Sequence, residues 1–320
     1  MPVDQDSAAR ENPEGAQPVP QRGQGSSRTV AGFFSWSGWT TVTALATTVA
    51  AFGALWFTGQ TLRATNGQLG LQQQIAVTDR LQKAVEQLSA ESVDTRLAGI
   101  YLLERLAKDS PPDHEPVFAI LSAYVRTHTD LARCPRPESD PRTFRATPPA
   151  PDIQAVLTVI GRRESSRDLP YRIDLRNTCL AGADLARANL THVQLTGANL
   201  AEANLYEADL SSSFIMNADL TGAALIGTRA HSTVLVRANL SGADLSRADL
   251  KSAVLMEADL RNARLADATL NLAAIGGADL RGADLGSADL TAITTTSTTG
   301  VPLRYDDTTR WPPNFPQPPR

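Results

Sequence analysis

From Leu175 onward every fifth residue is Leu or Ile, through to Leu290, with Ala230 the single interruption. Two places before each of these positions stands a small residue, mostly Ala, with Ile173, Thr178, Val193, Ser213, Thr228 and Thr233 as variants. Neither the helical period of about 3.6 nor the strand period of about 2 produces this spacing. A fixed short period means a stack of identical units, each turning the chain by a constant angle and burying its leucine against the next coil. The small residue supplies a second inward position, where the crowded axis admits only a methyl-sized group. Asp or Asn commonly precedes the leucine, as in Asp184, Asn189, Asn199 and Asn204, and such short polar side chains satisfy backbone groups at the corners.

Upstream the apolar spacing is helical. Leu71, Ile75, Leu81, Val85 and Leu88 lie along a glutamine-rich segment from Leu69 to Leu88. Leu97, Ile100, Leu103 and Leu106 form one stripe of a helix over Val93 to Lys108, which Ser110-Pro111-Pro112 ends. A third helix, His114 to His128, carries Val117, Ile120, Leu121, Tyr124 and Val125. These make a helical region over 62–128 whose apolar faces require a cover. Prolines mark 129–151 as a linker. A short helix follows over 152–163, with Asp152 as its expected N-cap and Ile153, Val156, Leu157 and Ile160 as its buried stripe. It is expected to cover the first turn of the stack, whose edge would otherwise expose unpaired strand and core.

From Thr29 to Leu62 no residue is charged. The centre of this run is long enough to cross a bilayer as a helix over 33–58. Trp39 and Trp56 stand at its two ends, about 26 Å apart along a helix, and aromatic rings prefer membrane interfaces. Residues 1–28 mix Pro, Gln, Gly and Ser with scattered charge and read as a disordered tail. The net charge of −4 on 320 residues provides no strong field toward nucleic acid. The two cysteines, Cys134 and Cys179, are too few for a disulfide framework or a thiolate metal site, and no bridge between them is expected. His114, His128, His192 and His231 stand at no metal-ligand spacing and read as surface or capping residues. No nucleophile elbow, phosphate loop or metal motif is present, so catalytic, cofactor and metal residues are all expected to be none.

Runs such as ADLAR, ANLTH, ANLAE, ADLSR and ADLRG resemble the pentapeptide-repeat family, whose usual motif reads A, then D or N, then L, then two variable residues. The resemblance implies a mainly β fold over 173–292: a right-handed quadrilateral β-helix with four pentapeptides per coil, hence about six coils. The segments TLRATNGQ, VTDRLQKAVEQL, RLAGIYLLERLAKDS and YDDTTRWP resemble membrane-anchored actinobacterial members that place a helical region before the repeats. For such members the resemblance implies a single-pass cell-membrane protein, with the cytoplasmic side favoured for the solenoid. The closing segment, 293–320, resembles that group's C-terminal end, with Trp311 packed on the last coil before a proline-rich tail.

Four repeats per coil place residues twenty apart in one vertical column. On the face centred at 195, 215, 235 and 255 the usual Asp or Asn is replaced by Phe214, Val234 and Val254, and the residues after the core position are Met216, Val236 and Met256. These six are expected to stack as two adjoining apolar columns, the candidate surface for a protein partner or for self-association. Ala230 removes a leucine from the core and is expected to leave a void, a local pinch or a buried water. The expected function is a membrane-tethered, non-enzymatic protein-protein interaction scaffold, with no small molecule or nucleic acid bound. The family also contains acidic duplex-DNA mimics that inhibit type II topoisomerases. Residues 171–290 hold fourteen acidic and ten basic side chains, so the rod is only mildly acidic, and mimicry is the alternative.

Overall fold

A computed structural model describes residues 54–58, 60–61, 77–134, 146–168, 173–313 and 315–318. The expected tail over 1–28, nearly all of the expected span over 33–58, and the middle of the proline-rich linker lie outside them. Among the described residues no helix is long and apolar enough to cross a membrane.

Among the described residues, 54–58 and 60–61 are helical, and four longer helices follow before the repeats: α1 (77–88), α2 (Val93–Asp109), α3 (His114–His128) and α4 (Pro151–Gly161). The stripes of α2 to α4 bury as their spacing predicts, with Ile100, Leu103, Val117, Leu121, Val156, Leu157 and Ile160 inaccessible to solvent, whereas Val85 of the first stripe is 39% exposed. They are continuous with the core of the repeats.

Asp152 is not an N-cap. Ala150 occupies that position, because Pro151 is favoured at the first helical residue, where its missing N–H costs nothing. Asp152 instead lies inside the first turn, nearly fully buried. Its Oδ2 accepts from Arg96 Nε (2.7 Å) and from the Tyr124 hydroxyl (2.6 Å), joining α2, α3 and α4 through one carboxylate. Burial pushes the Asp152 carboxyl up, but the Tyr124 and Arg96 donors outweigh it and hold the group below its usual range. Burial and the same carboxylate push Tyr124 up to about 12.

A phenol whose pKa is raised by folding contributes stability fully below its unfolded value near 10, and loses it as pH rises toward about 12. Tyr124→Phe is therefore expected to flatten the alkaline limb of the stability curve between about pH 10 and about pH 12, read by urea unfolding. At neutral pH it is expected to cost about 1.5–3 kcal/mol, the usual worth of a hydrogen bond to a charged group.

His114, expected as a surface or capping residue, is buried, and the N-cap of its helix is Asp113. Its Nε2 meets Asp168 Oδ1 at 2.9 Å, and Asp168 Oδ2 accepts from Arg163 Nε at 2.7 Å. A histidine opening an amphipathic helix carries no sequence sign of a partner 54 residues away.

The repeats form a solenoid whose parallel bridges join each residue to the one twenty positions on, from Asp174↔Gln194 to Ala274↔Thr294. The coil therefore closes after four pentapeptides. Within each pentad the backbone groups are shared between neighbours above and below: Leu200 N donates to Asp219 O (2.6 Å), and Asn199 N to Thr178 O (2.9 Å). Tight turns close the corners, as where Ala203 N donates to Leu200 O, and the third residue of nearly every one has positive φ, the turn at Ser287 being an exception. Glycine holds some of these corners, but Arg187, Glu202, Arg247 and Leu272 adopt φ of 57–61° as well. Left-handed backbone costs such residues about 1–2 kcal/mol each, offset by the ladder bonds and by the buried leucine on the same turn.

The expected gap at Ala230 is flanked by bulk added on both sides. Thr228 and Thr233 take the inward positions normally held by alanine, fully buried. Their hydroxyls donate to Leu205 O (2.9 Å) and Leu210 O (2.8 Å) of the coil before, so their polarity is satisfied inside the core.

Chain from outside the repeats meets both ends of the stack. At the start, the carbonyls that a preceding coil would pair are met by helix side chains. Arg126 Nη1 donates to Asp174 O (2.7 Å). Gln154 acts as a substitute strand residue, donating to Asp184 O (2.7 Å) and accepting from Asp184 N (3.0 Å). Arg163 donates to Asn189 O and to Thr191 O, and Asn189 N donates to Gly161 O at 2.7 Å. The fourth side carries Cys179, and there the tie is covalent: Cys179 is bonded to Cys134, Cα–Cα 5.5 Å. This overturns the expectation that the two cysteines stay apart. At the far end the twenty-residue register breaks. Asp279 pairs with Arg304 and Asp284 with Arg310, and Trp311 packs against the core with Tyr305 and Phe315 around it.

Candidate interaction face

The core residues Leu195, Ile215, Leu235 and Leu255 point inward, fully or almost fully buried. The residue before each therefore points outward, and the bridges stack Gln194, Phe214, Val234, Val254, Ala274 and Thr294 in one column. Phe214, Met216, Val234, Val236, Val254 and Met256 are all half-buried, each sheltered by its neighbours above and below but open on the outer side of the sheet. Stacking at the inter-strand spacing of about 4.8 Å sets the rungs at 214 and 254 about 10 Å apart.

The face extends further than the six residues. Its rungs read SSFIM (212–216), STVLV (232–236), SAVLM (252–256) and LAAIG (272–276), and none contains a charge. Leu272 is 54% exposed, the one large apolar side chain so exposed among the described solenoid residues. It lies at a corner, outside the two columns that core-centred counting follows. The signal that finds it is the absence of charge from the whole fourth rung. Beyond that rung the face ends: a Cβ on Gly276 would lie 2.2 Å from Thr296 O, because the chain after the last repeat crosses there.

One rim of the face is polar. Arg237 Nε contacts Glu257 Oε2 (2.8 Å), and Glu257 Oε1 accepts from Thr299 Oγ1 (2.6 Å). The Thr299 hydroxyl and then Arg237 hold the Glu257 carboxyl below its usual range. The opposite rim is the column Ser212, Ser232, Ser252, with Ser211, His231 and Lys251 beside it. An apolar centre bordered by polar and charged groups is the anatomy of a protein contact surface.

The other three faces are polar and internally paired. In the outward column Asn199, Asp219, Asn239, Asp259 and Asp279, every side chain accepts from the backbone N–H two residues on. Carboxylates elsewhere meet arginines, as in Arg187 to Glu207 and Arg229 to Asp209, both at 3.0 Å. His231 pairs with Asp249. Among the described residues no group of His, Cys, Asp or Glu is arranged to hold a metal ion.

Residues 178–292 match the family model described as pentapeptide repeats, in eight copies. The chain belongs to the pentapeptide-repeat family. Among solved structures it is similar to a pentapeptide-repeat protein from the Arabidopsis thaliana thylakoid lumen, at 30% identity over 33% of this chain and 82% of that one, TM-score 0.30. It is also similar to the pentapeptide-repeat protein HetL of Nostoc sp. strain PCC 7120, involved in heterocyst differentiation regulation. That likeness is 29% identical over 38% of this chain and 78% of that one, TM-score 0.20. QnrB1, a plasmid-mediated fluoroquinolone resistance protein, is 18% identical over 40% and 79% of the two chains, TM-score 0.19. No curated protein matches the chain. Pentapeptide-repeat proteins are generally structural or interaction proteins, and the part of this chain that matches the family is the solenoid, not the helices before it.

Proposed function

We propose that this pentapeptide-repeat protein is a non-enzymatic interaction scaffold, tethered to a membrane through residues 33–58, that docks a protein partner or a second copy of itself on the uncharged face. The observation that carries the reading is four successive charge-free rungs on one side of a solenoid whose other sides are charged. Burying such a face on a partner gains about 25 cal/mol per Å² of apolar area, with no charge to desolvate at its centre. The tether rests on the uncharged run from Thr29 to Leu62 with a tryptophan near each end.

The paired carboxylates weigh against duplex mimicry, the alternative. A mimic needs acidic groups left available along the rod, whereas here many accept from arginines or from their own backbone.

Val254→Glu sets a charge in the middle of the face at a position that points outward, so the fold is expected to stand. Association, measured by sizing with light scattering and by capture of partners from the native membrane, is expected to fall at least about tenfold, since an unpaired charge buried in a contact costs well over 1.4 kcal/mol. Thr269→Asp, on the neighbouring side in a column that already holds Asp249 and Asp289, is expected to change nothing. Equal association in the two variants would remove the face from the proposal. Recovery of the protein outside the membrane pellet would remove the tether.

A further inference from the structure

We infer that the bond between Cys134 and Cys179 is a permanent clasp of the native protein, and that the folded region works in an oxidising compartment outside the cytosol. The chain has only two cysteines, 45 residues apart, and the fold brings both to one point. A Cα–Cα separation of 5.5 Å is the span a disulfide bridges without moving the backbone.

The place of Cys179 in the repeat is the second observation. In its column, Asn199, Asp219, Asn239, Asp259 and Asp279 each accept from the N–H two residues on. Cysteine is the single residue of the column that offers only a weak sulfur acceptor for this turn. The exchange of a side-chain oxygen for sulfur falls on the first coil alone, and on the one side of that coil where, among the described residues, no helix side chain grips the edge carbonyl.

Cys134 is held ready from the other direction. It follows a short turn, Leu131–Arg133, fixed by Asp130 Oδ1 accepting from Ala132 N (2.9 Å), and it is itself 7% exposed. The chain returning from the linker then runs along the same coil, where a Cβ on Gly182 would meet Ala146 at 3.2 Å. The bond thus fastens the helices to the solenoid at the join between them.

Closing it takes two electrons and two protons from the thiols. A thiol-disulfide oxidoreductase supplies the balance, its own disulfide being reduced to two thiols as the Cys134–Cys179 bond forms. Such bonds persist in exported and periplasmic settings and are kept reduced in ordinary cytosol. For the tethered reading this places the solenoid on the outer side, opposite to the side the family resemblance favours.

The test is differential alkylation in the native host. Intact cells are quenched in acid with N-ethylmaleimide, the full-length protein is purified, and any disulfide is then reduced and marked with isotopically distinct iodoacetamide. Both cysteines are expected to carry only the second label, and the unreduced digest to contain one linked peptide. In parallel, an added protease that cannot enter spheroplasts is expected to cut the folded region. N-ethylmaleimide on both cysteines would overturn the clasp. A linked protein that the external protease cannot reach would overturn the compartment. Membrane fractionation reads the tether separately, so its failure would not be mistaken for either.

Discussion

Arg163→Ala is expected to lower the unfolding free energy by about 3–5 kcal/mol, the cost of leaving a buried ionic partner alone. The guanidinium is fully buried and does three things at once. It neutralises Asp168, it donates to Ile160 O at the end of α4, and it donates to Asn189 O and Thr191 O on the first coil. Burial, only partly offset by Asp168, pulls its pKa below the ordinary arginine value, yet it stays charged at any physiological pH. Without it Asp168 keeps, among the described side chains, the contact with His114, and two edge carbonyls lose the Arg163 donor. Lysine cannot reproduce the fork, so Arg163→Lys is expected to recover less than half of the loss. Urea unfolding followed by circular dichroism measures both variants. Equal stability of Arg163→Ala and the native protein would mean that the first coil does not need this cover.

Loss of the covalent tie has an effect of similar size. Closing a 45-residue loop restricts the unfolded chain by about 4 kcal/mol on the chain-entropy estimate. Cys134→Ser, Cys179→Ala and reduction of the native protein are each expected to lose about that much. Cys179→Asn is expected to lose about 1 kcal/mol less than Cys179→Ala, because the amide oxygen can accept from the N–H two residues on, as Asn199 does one coil later. Thermal unfolding with and without reductant orders the four. If Cys179→Asn and Cys179→Ala were indistinguishable, the column's turn bond would have no net worth at that coil.

The solenoid was legible in the sequence because its restraint is periodic. One inward leucine per five residues, joined to the four-repeat coil that the family resemblance implies, places Phe214, Val234 and Val254 in a column, where the bridges set them. What escaped was aperiodic. Cys134 meets Cys179, Arg126 meets Asp174, Gln154 meets Asp184 and Arg163 meets Asn189 only because helices of particular length and a proline-rich linker deliver them to one edge. No repeat announces such pairs. Asp152 misled for a related reason, since a helix-opening aspartate reads as a cap until the partners that bury it, Arg96 and Tyr124, are known. Leu272 stands apart for another reason: the positive-φ corners of this chain otherwise hold small, polar or charged residues such as Gly, Ser, Asn, Arg and Glu, and counting from the core leucines passes over that position.

The bridge spacing of twenty also governs how this molecule can change length. Removing one pentapeptide from the middle of the rod would swing everything beyond it a quarter-turn, so that Val254 and Met256 would no longer stand over Phe214 and Met216. Removing or duplicating four together shortens or lengthens the rod by about 4.8 Å and leaves the faces in line. Any change in the length of the apolar strip is thereby quantised: whole coils keep its register, and fractions of a coil send half the strip to another side.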